Sequence, residues 1–263
     1  MLKKGLFFIM KMNKRLLIEL VSTILILILF IVLIILNYID IKRKSATESL
    51  IDDASKISSS TTFEINKISC YSSAVPTNID NSSGSWKFDL YQYTDISLYI
   101  SNLSSNQHIK SFYLDDFKYQ NLETGTPNIC YKNINNFGKF ENTDVQNTKI
   151  EFEVLPTSSE LDTSKPQIYN DLSNPITLEY TNQIFTEKTL NNLHTLSYDG
   201  SILKSSSVLL SSISCMLSFK VHIITEDDLE HISTVTFEIP LSSESNSIYS
   251  GSFMSDIKYS VRF

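Results

Sequence analysis

SISCMLSFKVHII, Ser212 to Ile224, is the stretch on which the reading of the fold turns. Ile213, Cys215, Leu217, Phe219, Val221 and Ile223 share one parity. Ser212, Ser214, Ser218, Lys220 and His222 share the other, with Met216 and Ile224 as exceptions. Side chains alternate faces along a β-strand, so this pattern predicts a half-buried strand. Cys215 then points to the core and His222 points away from it. A catalytic thiol needs an exposed, electropositive setting with a base in reach. Cys215 reads instead as a small buried hydrophobe.

The same alternation recurs along the chain. In WKFDLYQYTDISLYI, Trp86, Phe88, Leu90, Ile96, Leu98 and Ile100 share a face, interrupted by Gln92 and Thr94. That interruption predicts a bulge or two shorter strands. Further strands are read in Ile150–Val154, Ile176–Tyr180, Val235–Leu241 and Ile257–Phe263, with shorter candidates at Phe63–Ile68, Ile109–Leu114 and Asn128–Ile134. The expectation is an all-β, antiparallel β-sandwich of immunoglobulin-like or jelly-roll type. The last strand carries the final residues, which are expected to be structural. Asp199-Gly200 signals a tight turn, and TEDDLEH a solvated acidic turn. TEKTLNNLH, residues 186–194, is expected to form a short helix. The polar stretch from Pro156 to Pro175 is long for a compact domain and reads as a binding loop or a decoration.

Charge is divided unevenly. Residues 1–44 hold eight basic side chains against Glu19 and Asp40, which leaves 14 basic and 27 acidic residues in 45–263. A body that acidic, with no basic stripe, argues against nucleic acid as a partner. The basic residues flank LLIELVSTILILILFIVLIIL, Leu16 to Leu36, which is apolar apart from Glu19, Ser22 and Thr23. At 1.5 Å per residue this run spans roughly the ~30 Å of a bilayer core. No small-residue cleavage site follows, so it reads as an uncleaved signal anchor rather than a signal peptide. Five basic residues precede it and three follow, which places the N-terminus in the cytoplasm. The expected layout is a cytoplasmic tail over 1–15, a transmembrane helix over 16–37, a helical stalk over 38–60 and an extracytoplasmic β domain over 61–263 at the plasma membrane. Ala46, Leu50, Ala54 and Ile57 supply the helical stripe of the stalk. The lipid bilayer is then one partner.

RLLIELVSTILILIL resembles the N-terminal segment of type IV pilins and pseudopilins. In that family a short basic leader precedes an apolar helix with a glutamate near its start, and an amphipathic stalk and a β-sheet domain follow. The resemblance implies leader processing and a role for Glu19 in assembly. Lys14 and Arg15 stand where the family usually has a glycine before the cleavage point, and cleavage after Arg15 puts Glu19 one position early.

Catalytic patterns are sparse. SILK (Ser201–Lys204) and SDIK (Ser255–Lys258) spell the serine–lysine motif of penicillin-binding enzymes. Both adjoin predicted strands, and neither has the motif's other partners. The histidines are His108, His194, His222 and His231. His222 and His231 are candidates to face each other across a hairpin beside Glu226, Asp227, Asp228 and Glu230, which would suit a metal site, although solvated turn charges are far commoner. Cys70, Cys130 and Cys215 have no metal-ligand spacing; one oxidised pair or three buried thiols both fit. Asn81 and Asn102 begin N-x-S sequons. Tyr91, Tyr93 and Tyr99 share the outward parity of their segment, a placement suited to a sugar or protein ligand or to ordinary cross-strand pairing. No catalytic, cofactor or metal residue is nominated. The expected role is a non-enzymatic binding or structural module at the surface, with a pilin-like subunit or an enzyme with an unrecognised site as alternatives.

Overall fold

A computed structural model of the chain describes residues 62–82, 84–104, 106–132, 149–191, 195–240 and 248–263, with eight further residues between 22 and 34. The chain divides into two compact units, Met1–Leu50 and Ile51–Phe263. Within the first unit the described residues are helical, and Leu25, Ile26, Leu27, Ile28, Ile31 and Ile34 are all exposed. Among the described residues no helix is long and apolar enough to cross a membrane. The expected tail and stalk, and most of the Leu16–Leu36 run, lie outside the described residues.

The second unit is all-β, built as two five-stranded sheets. The strands are β1 (Phe63–Asp80), β2 (Trp86–Asn102), β3 (Ile109–Gln120), β4 (Thr126–Tyr131), β5 (Lys149–Leu155), β6 (Gln167–Tyr169), β7 (Ile176–Leu190), β8 (Cys215–Thr225), β9 (Glu230–Ile239) and β10 (Phe253–Arg262). Sheet 1 has the order β10-β1-β2-β7-β4 and sheet 2 the order β6-β5-β3-β8-β9. All pairings are antiparallel except β5 with β6, which is parallel. The parallel partner comes from within the Pro156–Pro175 stretch, whose Ile168 and Leu172 reach the core.

Alternation builds the interior. Ile96, Leu98 and Ile100 of β2 face Phe112 and Leu114 of β3 and Leu217, Phe219 and Val221 of β8 within one apolar cluster shared by both sheets. A second cluster gathers Phe88 and Leu90 of β2 with Ile184 of β7 and with Ile202, Leu203, Leu210 and Ile213. The last four come from two short helices, α1 (Ser201–Ser205) and α2 (Leu210–Ile213).

Between the clusters lies a polar seam. Gln92 and Thr94 are buried, yet β2 runs through them without a break. The interruption in the sequence pattern therefore marks a buried polar layer and not two strands. Its groups are bonded only in part: Ser72 and Thr94 hydroxyls lie 2.8 Å apart, and Asn182 Nδ2 donates to the Thr124 carbonyl at 3.0 Å and to Gln92 Oε1 at 3.4 Å, while Gln92 Nε2 and Asn182 Oδ1 have no partner among the described residues. Buried polar atoms without such partners are costly. The irregularities of the β2–β7 ladder fall instead on either side of Leu90.

One local expectation is corrected, and one gains detail. Residues 186–190 continue β7 instead of starting a helix, because Lys188, Thr189 and Leu190 pair with Phe88, Lys87 and Trp86 and the Glu187 amide donates to Asp89 Oδ1 at 2.8 Å. Asp199-Gly200 lies in a tight turn, with the Ile202 amide donating to the Asp199 carbonyl at 3.1 Å, and the turn leads into helix α1: Asp199 Oδ1 accepts from the Ser201 amide at 2.9 Å and hydroxyl at 2.5 Å.

Gly200 is needed for proximity. A Cβ built there meets the Gly251 carbonyl oxygen at 2.1 Å and the Ile248 carbonyl oxygen at 2.3 Å. Both obstacles are backbone, so relief requires moving the Ile248–Ser250 turn. Gly200→Ala is expected to cost about 1–3 kcal/mol of stability. Urea denaturation of the two chains measures it, and an unchanged midpoint would show that the turn yields freely.

Candidate functional site

The outer face of sheet 2 carries a connected polar cluster around His222. Tyr113 and Asp115 reach it from β3, His222 from the middle of β8, and Glu230 from the start of β9. Tyr113 is the direct cross-strand neighbour of His222. Their rings stack, with centroids 4.2 Å apart and planes 12° apart. His222 Nδ1 lies 2.9 Å from Glu230 Oε1 and Nε2 lies 3.0 Å from Asp115 Oδ1. The Tyr113 hydroxyl donates to the same Glu230 oxygen at 2.9 Å. Lys149 Nζ sits 3.9 Å from the centre of the Tyr113 ring. Hydrogen bonds from His222 and Tyr113 hold the Glu230 carboxyl below its ordinary range. Burial and the bond to Glu230 push the Tyr113 phenol up to about 12.

This arrangement anchors an imidazole between two carboxylates, and no serine or cysteine among the described residues is bonded to the ring. Cys215 lies on β8 with its side chain in the core, 1% exposed. Its thiol is pushed up to about 11 by burial, and Cys70 and Cys130 to about 12 for the same leading reason. All three are free, buried thiols. A thiol held that high is a poor nucleophile.

The two histidines do not face each other. His222 pairs with Ile232, and His231 pairs with Ile223, so the rings occupy opposite faces of the sheet. His231 turns inward against Phe63, ring centroids 5.0 Å apart at 86°. Burial lowers its pKa, with Asp227 opposing. The carboxylates of the turn stay outside: Asp227 accepts from Gln107, and Asp228 pairs with Lys110 at 2.5 Å. Among the described residues no group of three or more His, Cys, Asp and Glu side chains is placed to hold a metal ion. His194 lies outside the described residues.

Of the two serine–lysine motifs, SDIK lies in β10. SILK forms helix α1, contrary to the strand-like setting expected for it. The Ser201 hydroxyl is nevertheless committed to Asp199.

Sheet 1 holds a second cluster that the sequence did not announce. Asp95 and Glu179 are direct neighbours on β2 and β7, and Cys130 of β4 is the next residue across. Lys132 forms an ion pair with Asp95. Glu179 is fully buried, and neither carboxyl oxygen has a hydrogen-bond partner. Desolvation first, and the Asp95 charge second, push it up to about 9. Asp95 is raised as well, by burial, with Lys132 opposing. Glu179 therefore carries its proton at neutral pH. Its outward parity in TLEYT resembles that of any solvated strand residue, so nothing in the pattern signals burial. Asp115 was equally hidden, since its partner His222 stands 107 residues away.

Searches against protein-family models, curated proteins and solved structures gave no match to this chain.

A carboxyl whose folded pKa lies above its unfolded value favours folding fully below the unfolded pKa. That advantage is lost as pH rises through the folded one. For Glu179 the window runs from its ordinary 4.5 to about 9. Stability should fall across it with a limiting slope of about 1.4 kcal/mol per pH unit. Glu179→Gln should flatten that slope in denaturation curves taken from acid to alkaline pH. Parallel pH profiles for the two chains would refute the assignment.

Proposed function

We propose that the chain is a single-pass membrane protein whose Leu16–Leu36 segment anchors an extracytoplasmic β domain serving as a non-enzymatic binding or structural module. One observation carries the anchor. Leu25, Ile26, Leu27 and Ile28 are consecutive, helical and between 52% and 65% exposed. Successive helical residues lie ~100° apart, so four of them sample the whole circumference. An apolar helix open on every side is matched by lipid and poorly matched by water. The flanking lysines and arginines support a cytoplasmic N-terminus. The domain itself is read as a β-sandwich in the broad immunoglobulin-like or jelly-roll manner, an architecture that presents side chains outward from both sheets. The non-enzymatic reading rests on no serine or cysteine among the described residues being bonded to the His222 ring and on the cysteines being buried at raised pKa.

The LIEL run with Glu19 supports a second reading, a pilin-like subunit processed before its helix. One measurement separates the two. The native protein should fractionate with membranes, resist alkaline extraction and retain Lys14 and Arg15 by intact mass and terminal-peptide sequencing. Release by alkaline carbonate would remove the anchor. A mature chain beginning near Leu16 would replace the signal anchor with the pilin-like subunit.

A further inference from the structure

A cavity of about 360 Å³ opens at one end of sheet 1. It exists because β2 outruns β7. The ladder between them ends at the Leu98–Ile176 pair, whereas β2 continues to Asn102 against β1. The segment Asp171–Asn174, just before β7, faces the uncovered stretch from Tyr99 to Asn102, and Asn66 closes the cavity from β1. Asn66 is the extra residue of a bulge that shifts register with both neighbouring strands.

The walls are fixed from behind. Asn174 Oδ1 accepts the Tyr169 amide at 2.7 Å, and Asp171 Oδ1 accepts the Ser173 amide at 3.0 Å. Asn102 Oδ1 accepts the Ser104 amide at 3.0 Å, and Asn66 Nδ2 donates to Ser101 Oγ at 2.6 Å. The Asn170 carbonyl accepts the Ile109 amide at 2.9 Å, tying the segment to β3. Leu172, at φ 60°, buries its side chain beneath it. Lys67 Nζ lies 5.3 Å from the Tyr99 ring centre and pairs with Asp256 at 3.1 Å, which steadies the ring from the β1 side. Tyr99 is still 36% exposed.

We propose that this cavity binds a neutral mono- or disaccharide. The inference rests on reading the domain as a recognition module, and names its ligand. An aromatic ring beside planar amide and carboxylate groups suits a ring that carries C–H faces and hydroxyl edges. The volume falls in the range of about 300–1,000 Å³ typical of small-molecule sites. Anionic ligands are disfavoured, because Asp171 lies in the wall, no lysine or arginine is among the described residues that line it, and Lys67 behind Tyr99 is paired with Asp256. The excess of 27 acidic over 14 basic residues in 45–263 acts in the same direction.

The test uses the full chain in phosphatidylcholine nanodiscs, which avoids detergents with sugar headgroups. Cellobiose, maltose and N,N′-diacetylchitobiose are titrated by calorimetry and by saturation-transfer NMR. At least one should bind, with Tyr99 protons receiving or giving transfer. Tyr99→Ala should weaken it about tenfold or more. Asp171→Asn, which keeps the Oδ1 acceptor of the turn, should weaken it severalfold at unchanged Tm. An anchored, folded chain that binds none of the three at about 10 mM overturns this inference and leaves the anchor standing. Binding unaltered in both variants also overturns it. Saccharide binding by a chain that fails the membrane test would overturn the anchor alone.

Discussion

The β1–β2 ladder is the constraint on which the rest of the domain depends. It runs from the Phe63–Asn102 pair to the Asp80–Lys87 pair and crosses both apolar clusters. Few strand pairs reach such a length, because sheets twist and cores end, and this one shifts register at Asn66 and again between Thr77 and Asp80. Here the polar seam makes the length possible. Ser72, Thr94, Gln92 and Asn182 fill the gap between two separately packed interiors and hydrogen-bond across strands. Each cluster alone is ordinary; the shared strands make them one domain.

What the sequence disclosed follows from period. Where one face is buried and the other wet, as in β8 and β2, alternation was visible and the inward residues were identified correctly, Cys215, Leu217, Phe219 and Val221 among them. It fails where a residue departs from that rule. Glu179 has outward parity but no exposure. His231 sits on the inward parity of β9 against Phe63, a partner 168 positions away. Residues 186–190 have helical composition, yet backbone pairing with β2 overrides propensity. SILK is a further case: it forms helix α1 after a turn in which Asp199 Oδ1 accepts the Ser201 amide, a local bond that a strand-based reading overlooked. The cavity was hidden for a different reason: it arises from unequal strand lengths in a ladder, and pairing is not written in either strand alone.

The two outer faces differ in chemistry. Sheet 2 shows a rigid, charged, stacked assembly in which Tyr113, His222 and Glu230 satisfy one another. Such a closed network stabilises three strands and has little left over for a ligand. Around Tyr99, sheet 1 has instead braced walls and polar side chains lining an open cavity. Sites that bind need both properties, a fixed shape and polar groups within reach of a ligand. Density of polar residues is thus a poor guide to function in this domain, and their setting a better one.

The placement of β1 has a mechanical consequence. It is an inner strand of sheet 1, with β2 on one side and β10 on the other. The Thr62 and Phe63 amides both bond the Phe263 carbonyl, and Phe263 is itself buried. Tension entering at residue 62 is therefore directed along β1 and is borne by two ladders at once, in shear. Hydrogen bonds loaded side by side must yield together, whereas a strand peeled from a sheet edge releases them one at a time. Traction on the leading end of the domain would meet its stiffest direction, and the weaker one would lie at edge strands such as β4 and β6.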